Sequence, residues 1–248
     1  MHLAERLQLA APYAARPYRG SSDHPAIVDV LAAHRIANGD TELPTVAQLD
    51  LTYANLHDCD PDRDIALVEV DGRVVAYTRT FFEDLHSGVR DCMVFTPILP
   101  EHLTYELWTA IVDASETHMV SWGTAVDRAQ YRAFAHHPGP RLQPTGIAAW
   151  LEKRDYVATE WSASLVRPHL DDIADRALPD GVELRPVQPE QLRTIFDAHS
   201  EAFRGEWDFR EPVEVDWIEF NEHPYRDTSL WKVAWAGWPR PRGSRRSC

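Results

Sequence analysis

Residues 65–82 read Ile-Ala-Leu-Val-Glu-Val-Asp-Gly-Arg-Val-Val-Ala-Tyr-Thr-Arg-Thr-Phe-Phe, two apolar runs joined by Asp71-Gly72. β-branched and aromatic side chains fill both runs, which favours β-strands. An Asp-Gly pair accommodates the positive φ angles of a type I′ turn, so this stretch predicts a β-hairpin. The other elements are placed relative to it.

The sequence before the hairpin predicts one strand and two helices. The strand ends at Arg16-Pro17. The first helix begins after a possible N-cap at Asp23 and ends before Gly39, whose backbone freedom suits a helix end. The second begins with capping-box spacing between Thr45 and Gln48.

The sequence after the hairpin predicts alternating strands and helices. Together with the elements before it they give the order βααβββαβαβ, which is an α/β fold. The predicted elements are a strand at 89–98, a helix from Pro100, a strand at 120–127, a helix at 145–153 and a strand at 156–166.

Composition excludes several classes of protein. The 39 acidic residues outnumber the 25 basic ones and give a formal net charge of -14, which repels nucleic acid and anionic lipid. No apolar stretch approaches the ~18 residues that a membrane span needs. The three cysteines, Cys59, Cys92 and Cys248, have no metal-binding spacing. We therefore expect a cytoplasmic protein with neither nucleic acid nor membrane as a partner.

Glycine spacing excludes the common nucleotide and hydrolase motifs. No two of the 11 glycines are closer than six residues. Dinucleotide fingerprints, Walker loops and Gly-x-Ser-x-Gly elbows all need closer glycines. His118, His136, His137 and Asp127 could form a metal site, but surface histidines are the favoured interpretation, so no metal site is predicted.

The sequence partly repeats itself after an acidic linker bounded by prolines. Arg185-Pro186 repeats Arg16-Pro17, and Arg226-Asp227 repeats Arg63-Asp64 ahead of an apolar run. The predicted boundaries are 1–168 for the first domain, 169–180 for the linker, 181–237 for a partial second copy and 238–248 for a basic tail.

The tail and the tryptophans of the partial copy lead to two further expectations. Residues 238–248 contain four arginines and no sheet-forming pattern, so they are either a functional basic peptide or the product of a lost reading frame, and the second is favoured. The tryptophans would be exposed or packed on the first domain, which predicts partner binding or self-association. They are Trp207, Trp217, Trp231 and Trp235.

The element order, the Asp-Gly hairpin and the repeat together resemble the GNAT acetyltransferase superfamily, in the tandem-domain type similar to mycothiol synthase. Local matches are Ala15-Arg-Pro-Tyr-Arg-Gly20, residues 64–76 and Leu184-Arg-Pro-Val187. The resemblance implies a GNAT-like mixed, mostly antiparallel sheet flanked by helices, followed by an incomplete second copy. It also implies acetyl transfer from acetyl-CoA to a small amine.

The resemblance places the acetyl-CoA site where a strand turns into a helix. The family holds the pyrophosphate on backbone N–H groups of an Arg/Gln-x-x-Gly-x-Gly/Ala turn. Here that turn falls on residues 103–108, which contain no glycine, and the strand before it would hold the cofactor through its carbonyls. The cofactor-binding residues implied are Thr96, Ile98, Leu103, Thr104, Tyr105 and Glu106.

The resemblance also directs attention to acid and base groups. Glu83 ends the long hairpin strand and could act as the base, directly or through water, while a solvated turn is the favoured interpretation of this position. Leu151 stands where the family often has a tyrosine that protonates the leaving thiolate. Two functions therefore stand open: an acetyl-CoA-dependent N-acetyltransferase, or a non-catalytic GNAT-like pseudoenzyme or interaction module.

Overall fold

The computed structural model describes residues 1–133, 146–161, 165, 167–169, 171, 173–174, 176–206 and 208–236. Its helices are α1 (Leu3–Arg6), α2 (His24–Ala37), α3 (Val46–Ala54), α4 (Pro61–Asp64), α5 (Tyr105–Gly123), α6 (Ile147–Glu152), α7 (Leu192–Phe203) and α8 (Glu214–Glu222). Its strands are β1 (Ala14–Pro17), β2 (Ile65–Val70), β3 (Arg73–Asp84), β4 (Arg90–Phe95), β5 (Ala129–Ala133), β6 (Val182–Arg185) and β7 (Val233–Ala236).

Strands β1 to β5 form one sheet in the order β1-β2-β3-β4-β5. The first three pairings are antiparallel, and β4 pairs with β5 in parallel. Asp71 and Gly72 have φ angles of 51° and 79°, so the predicted hairpin is confirmed. The predicted α/β fold with a mixed, mostly antiparallel sheet flanked by helices is also confirmed.

The core lies on both faces of the hairpin. Four consecutive residues of β2, Ile65 to Val68, are fully buried, which requires cover on both sides of the sheet. On one face the Thr78 hydroxyl lies 3.4 Å from Ser115 of α5. On the other face Tyr77 and Tyr53 of α3 share a hydrogen bond between their hydroxyls. The sheet is therefore a central layer between two layers of helix.

The predicted strand at 120–127 is wrong, because α5 continues to Gly123 and the next strand is β5. Helical spacing places Met119 and Trp122 on the face of α5 that packs against the sheet. Met119 is fully buried, and the Trp122 ring lies 5.7 Å from Phe82 of β3. That packing stabilises helix where the local apolar run suggested a strand.

Two other predictions concern the region after β5. The predicted helix at 145–153 corresponds to α6. Residues 156–161 of the predicted strand at 156–166 form no strand, so that part of the prediction is wrong, and 162–164 and 166 lie outside the described residues. His136 and His137 also lie outside them.

His118 is a buried side chain of α5 and not a surface histidine as expected. Its Nε2 lies 2.7 Å from Oδ1 of Asp64, and both residues are at most 5% exposed. The other carboxylate oxygen of Asp64 accepts the Asp60 N–H at 2.6 Å, while its carbonyl accepts from Thr80 at 3.2 Å. This pair therefore joins α5, α4 and β3.

The remaining elements belong to the C-terminal part. Strands β6 and β7 pair antiparallel as a separate two-stranded sheet, and α7 buries Leu192 and Phe196. Among the described residues, none of the helices has both the length and the apolar character that crossing a membrane requires.

We predict that Asp64→Ala lowers the free energy of unfolding by about 3 kcal/mol, because the buried His118 ring loses its partner. Asp62→Ala, an exposed change in the same helix, should stay within about 0.5 kcal/mol of the unmodified chain. Urea denaturation followed by circular dichroism measures both. Equal effects of the two substitutions would show that the buried pair contributes nothing.

Candidate active site

The backbone at the end of β4 offers hydrogen-bonding groups on the edge away from β3. The carbonyl of Pro97 and the N–H of Leu99 both bond to β3, at 3.0 and 2.9 Å. Because alternate residues of a strand direct these groups to opposite edges, Thr96 and Ile98 direct theirs toward the side of β5. The described pairing with β5 reaches Val94 and stops short of both residues.

The side chains of Thr96 and Ile98 are in different settings. The Thr96 hydroxyl oxygen is buried and has no hydrogen-bond partner among the described residues. Ile98 is fully buried in the core, and its carbonyl lies 3.4 Å from Nδ1 of His34. An unsatisfied buried hydroxyl is costly, so Thr96 is a position where a ligand group would be stabilising.

The turn after β4 leads directly to the N-terminus of α5. A 3-10 turn over Pro100–His102 comes first, so the α-helix begins at Tyr105 and not at Pro100 as predicted. Thr104 is the N-cap, and its hydroxyl accepts the Leu107 N–H at 3.2 Å. Leu103 packs against the core. First-turn N–H groups have no acceptor within a helix, so this end attracts anions.

Bulk and negative charge surround that N-terminus. The Tyr105 ring lies 5.7 Å from Trp150, and Trp150 in turn lies 5.6 Å from Trp108. Glu106 is exposed in the first turn of α5. Lys153 lies 5.7 Å from the Tyr105 ring and brings a positive charge that the sequence did not point to. The turn therefore has a positive charge nearby, but it lacks the glycines that would let phosphate groups approach the backbone closely.

Glu83 lies within β3 and is not in a solvated turn. Its side chain is 31% exposed and lies 3.7 Å from Nε of Arg210. Burial raises the pKa of Glu83, while the Arg210 guanidinium opposes that rise. A partly buried carboxyl with a raised pKa is a better proton acceptor near neutral pH than an exposed one.

Arg210 comes from the C-terminal part, and nothing in the sequence pointed to it. It forms two hydrogen bonds to Asp216, at 2.8 and 2.5 Å. Next to it, the Phe209 carbonyl accepts the His86 N–H at 2.8 Å. The segment around Arg210 therefore lies against the end of β3 and holds the Glu83 carboxylate in place.

The cofactor residues and the candidate base are not in contact. Glu83 is opposite Asp91, and Thr96 lies five residues after Asp91, just beyond the end of β4, which corresponds to ~17 Å of extended chain. Their side chains are on opposite faces, since Thr96 follows Val94, which is opposite Thr80. The strand β5 occupies the edge of β4 between the two positions, from Arg90 to Val94.

The sequence matches no family model and no curated protein. Among solved structures, the chain is similar to a GCN5-related N-acetyltransferase from Sphaerobacter thermophilus, with 21% identity and a TM-score of 0.59 over 92% of this chain and 69% of that one. The chain has the GNAT fold. The match extends beyond the five-stranded sheet, since it includes nearly all of this chain.

Two shorter structures cover only part of the chain. A predicted acetyltransferase with acetyl-CoA from Clostridium acetobutylicum has 13% identity and a TM-score of 0.45 over 63% of this chain and 99% of its own. Glucosamine-6-phosphate N-acetyltransferase from Arabidopsis thaliana has 13% identity and a TM-score of 0.40 over 62% and 97%. In this GNAT fold, β4 and α5 flank the turn predicted for the cofactor.

We predict opposite pH effects from two neighbouring carboxyls of β3. Burial raises the pKa of Glu83 above its ordinary value of 4.5, so its stabilising contribution is lost as pH rises. Hydrogen bonds from Arg90 lower the pKa of Asp84 below 3.8, so its contribution is lost as pH falls.

Melting temperatures between pH 3 and pH 7, compared with the unmodified chain, test both effects. Glu83→Gln should become relatively more stable as pH rises through the region above 4.5. Asp84→Asn should be relatively less stable at neutral pH, and its deficit should shrink below 3.8. Parallel profiles for the two variants would contradict the assigned environments.

Proposed function

We propose that this chain is an acetyl-CoA-dependent N-acetyltransferase of the cytoplasm that acts on a small amine. The GNAT fold supports the reaction class. The observation that carries the proposal is that the backbone just after β4, at Thr96 and Ile98, directs groups away from β3 and leads to the N-terminus of α5. Two free thiols, Cys59 and Cys92, agree with a reducing compartment.

The residues that follow β4 fit the pantetheine arm of acetyl-CoA. The buried Thr96 hydroxyl lacks a partner among the described residues, and the backbone of Thr96 and Ile98 faces away from β3. These groups would hold the amides of the pantetheine arm, and the first turn of α5, after Thr104, would hold the pyrophosphate. When bound, acetyl-CoA supplies an acetyl group activated as a thioester.

Glu83 is the candidate base in this proposal. An ammonium group has no free electron pair, so it must lose a proton before it can attack a carbonyl. Glu83 accepts that proton at its carboxylate, directly or through water, and Arg210 at 3.7 Å positions the carboxylate.

A non-catalytic GNAT-like module is the second candidate. Tyr105, packed on Trp150, occupies part of the space beside the N-terminus of α5, and Glu106 places a carboxylate there. Both features oppose pyrophosphate binding through bulk and charge repulsion. As such a module, the chain would bind a partner without catalysing acetyl transfer.

The partial second copy at 181–237, of which residue 237 lies outside the described residues, is also proposed. Strand β6 pairs with β7 antiparallel, as β1 pairs with β2. This strand pairing is a backbone feature that is independent of the sequence repeat.

Self-association through this partial copy is a related proposal. Tyr225 and Leu230 are 62% and 74% exposed. Large exposed apolar side chains favour contact with another protein surface. Trp207 and the tail at 238–248 lie outside the described residues.

We predict that acetyl-CoA at ~100 times its Kd stabilises the chain by about 2.7 kcal/mol, seen as a rise in melting temperature. Glu106→Gln should tighten acetyl-CoA binding several-fold, since it removes a negative charge beside the proposed pyrophosphate site. Glu201→Gln, a change in α7, is the matched control and should have no effect. A flat melting temperature with a folded chain would favour the non-catalytic module.

We predict that Glu83→Gln slows acetylation of an accepted amine by ~100-fold or more at pH 7. The rate should recover as pH approaches the pKa of the amine, because unprotonated amine then needs no base. Asp84→Asn is the control on the same strand and should retain its rate. A variant defect that is equal at all pH values would assign Glu83 a role other than proton removal.

A further inference from the structure

A cavity of about 430 Å³ lies in the C-terminal part, outside the proposed acetyl-transfer site. It is bounded by α8 and by the segment that leads from α8 to β7. Its volume suits a ligand of a few to a dozen heavy atoms. The lining residues are Asp216, Glu219, Phe220, His223, Tyr225, Arg226 and Trp231.

Aromatic rings form much of the cavity wall. The Phe220 ring lies 5.5 Å from Trp231 at an interplanar angle of 48°. Phe220 also packs against Phe196 and Trp217, at 5.3 and 5.9 Å, so its position is fixed from behind. Tyr225 is 62% exposed and forms the outer part of the wall.

The charged side chains that line the cavity differ in how many hydrogen bonds and ion pairs they already form. Asp216 accepts two hydrogen bonds from Arg210 and one from the Val213 N–H. Arg226 donates to Asn221 at 2.6 Å. Glu219 remains as the lining carboxylate without an ion pair among the described residues, and Thr52 is among the groups that lower its pKa.

The surroundings of Glu219 favour a positive neighbour. Burial, and then the charge of Asp216, raise the pKa of Glu219. His57 and Arg79 from the N-terminal part act in the opposite direction without forming an ion pair with it. A partly desolvated carboxylate of this kind is stabilised when a cation approaches.

We propose that this cavity binds a small aliphatic ammonium ion. Its charged head lies against the faces of Phe220 and Trp231, where the negative face of each ring attracts a cation, and near the Glu219 carboxylate. Its methyl or methylene groups contact the same rings and lose their water. The binding requires neither acetyl-CoA nor Glu83, so it stands independently of the proposed acetyl transfer.

Titration of the full chain with choline, observed through its N-methyl protons by saturation-transfer NMR, tests the proposal. We expect saturable binding in the millimolar range, which is typical of a small cation in an open aromatic site. The neutral isostere 3,3-dimethylbutan-1-ol has the same shape without the charge and should bind at least fivefold more weakly. Equal binding of the two probes, or no saturable binding of choline, would overturn the proposal.

Substitutions locate the binding to this cavity. Trp231→Leu and Glu219→Gln should each weaken choline binding at least fivefold, while Glu222→Gln, an exposed change on the same helix, should leave it unchanged. Tyr225→Leu is a second ring variant, at a position that is 62% exposed, and should also weaken choline binding. Circular dichroism verifies that each variant is folded.

The remaining outcomes are also decisive. Undiminished choline binding in the folded Glu219→Gln and Tyr225→Leu variants would place the cation elsewhere and refute the assignment. Acetate serves as an anionic probe of the alternative that Arg226 determines the ligand. Acetate binding that exceeds choline binding and disappears in Arg226→Ala would overturn the cation assignment.

Discussion

Burial of the β2–β3 hairpin on both faces is the constraint on which the rest of the structure depends. Each fully buried aliphatic side chain of β2 contributes roughly 1.5–3 kcal/mol when it leaves water, but only if helices cover both sides. The helices α2 and α3 cover one face, and α5 covers the other. The buried Asp64–His118 pair, 2.7 Å apart, then connects α5 to the residue just before the hairpin. This contact fixes the position of α5 along the sheet.

The sequence predicted this frame because local chemistry and tertiary packing agree there. Asp71-Gly72 has one favoured turn, and the Thr45 capping box forms as its spacing indicated. Val120 was misassigned for the opposite reason. Its apolar neighbours favour a strand locally. Continuing α5 instead buries Met119 and packs Trp122 against the sheet, and this burial stabilises the helix.

The candidate site could be predicted only in part. The residues at the β4–α5 turn follow from element order, since a strand end and a helix start are local features. The Arg210–Glu83 contact joins residues more than a hundred positions apart, and neither carries a motif. Lys153 reaches Tyr105 only because α6 packs beside α5. Such contacts depend on how helices pack, which residue spacing alone does not determine.

Arg210 links two places that are otherwise separate. Its guanidinium binds Asp216, which lines the cavity of α8, and lies 3.7 Å from Glu83 of β3. A ligand that changes how strongly Asp216 holds Arg210 therefore changes the ionisation of Glu83. Thermodynamic linkage makes such a coupling reciprocal, so a change in the protonation of Glu83 would change the affinity of the cavity for that ligand by the same factor.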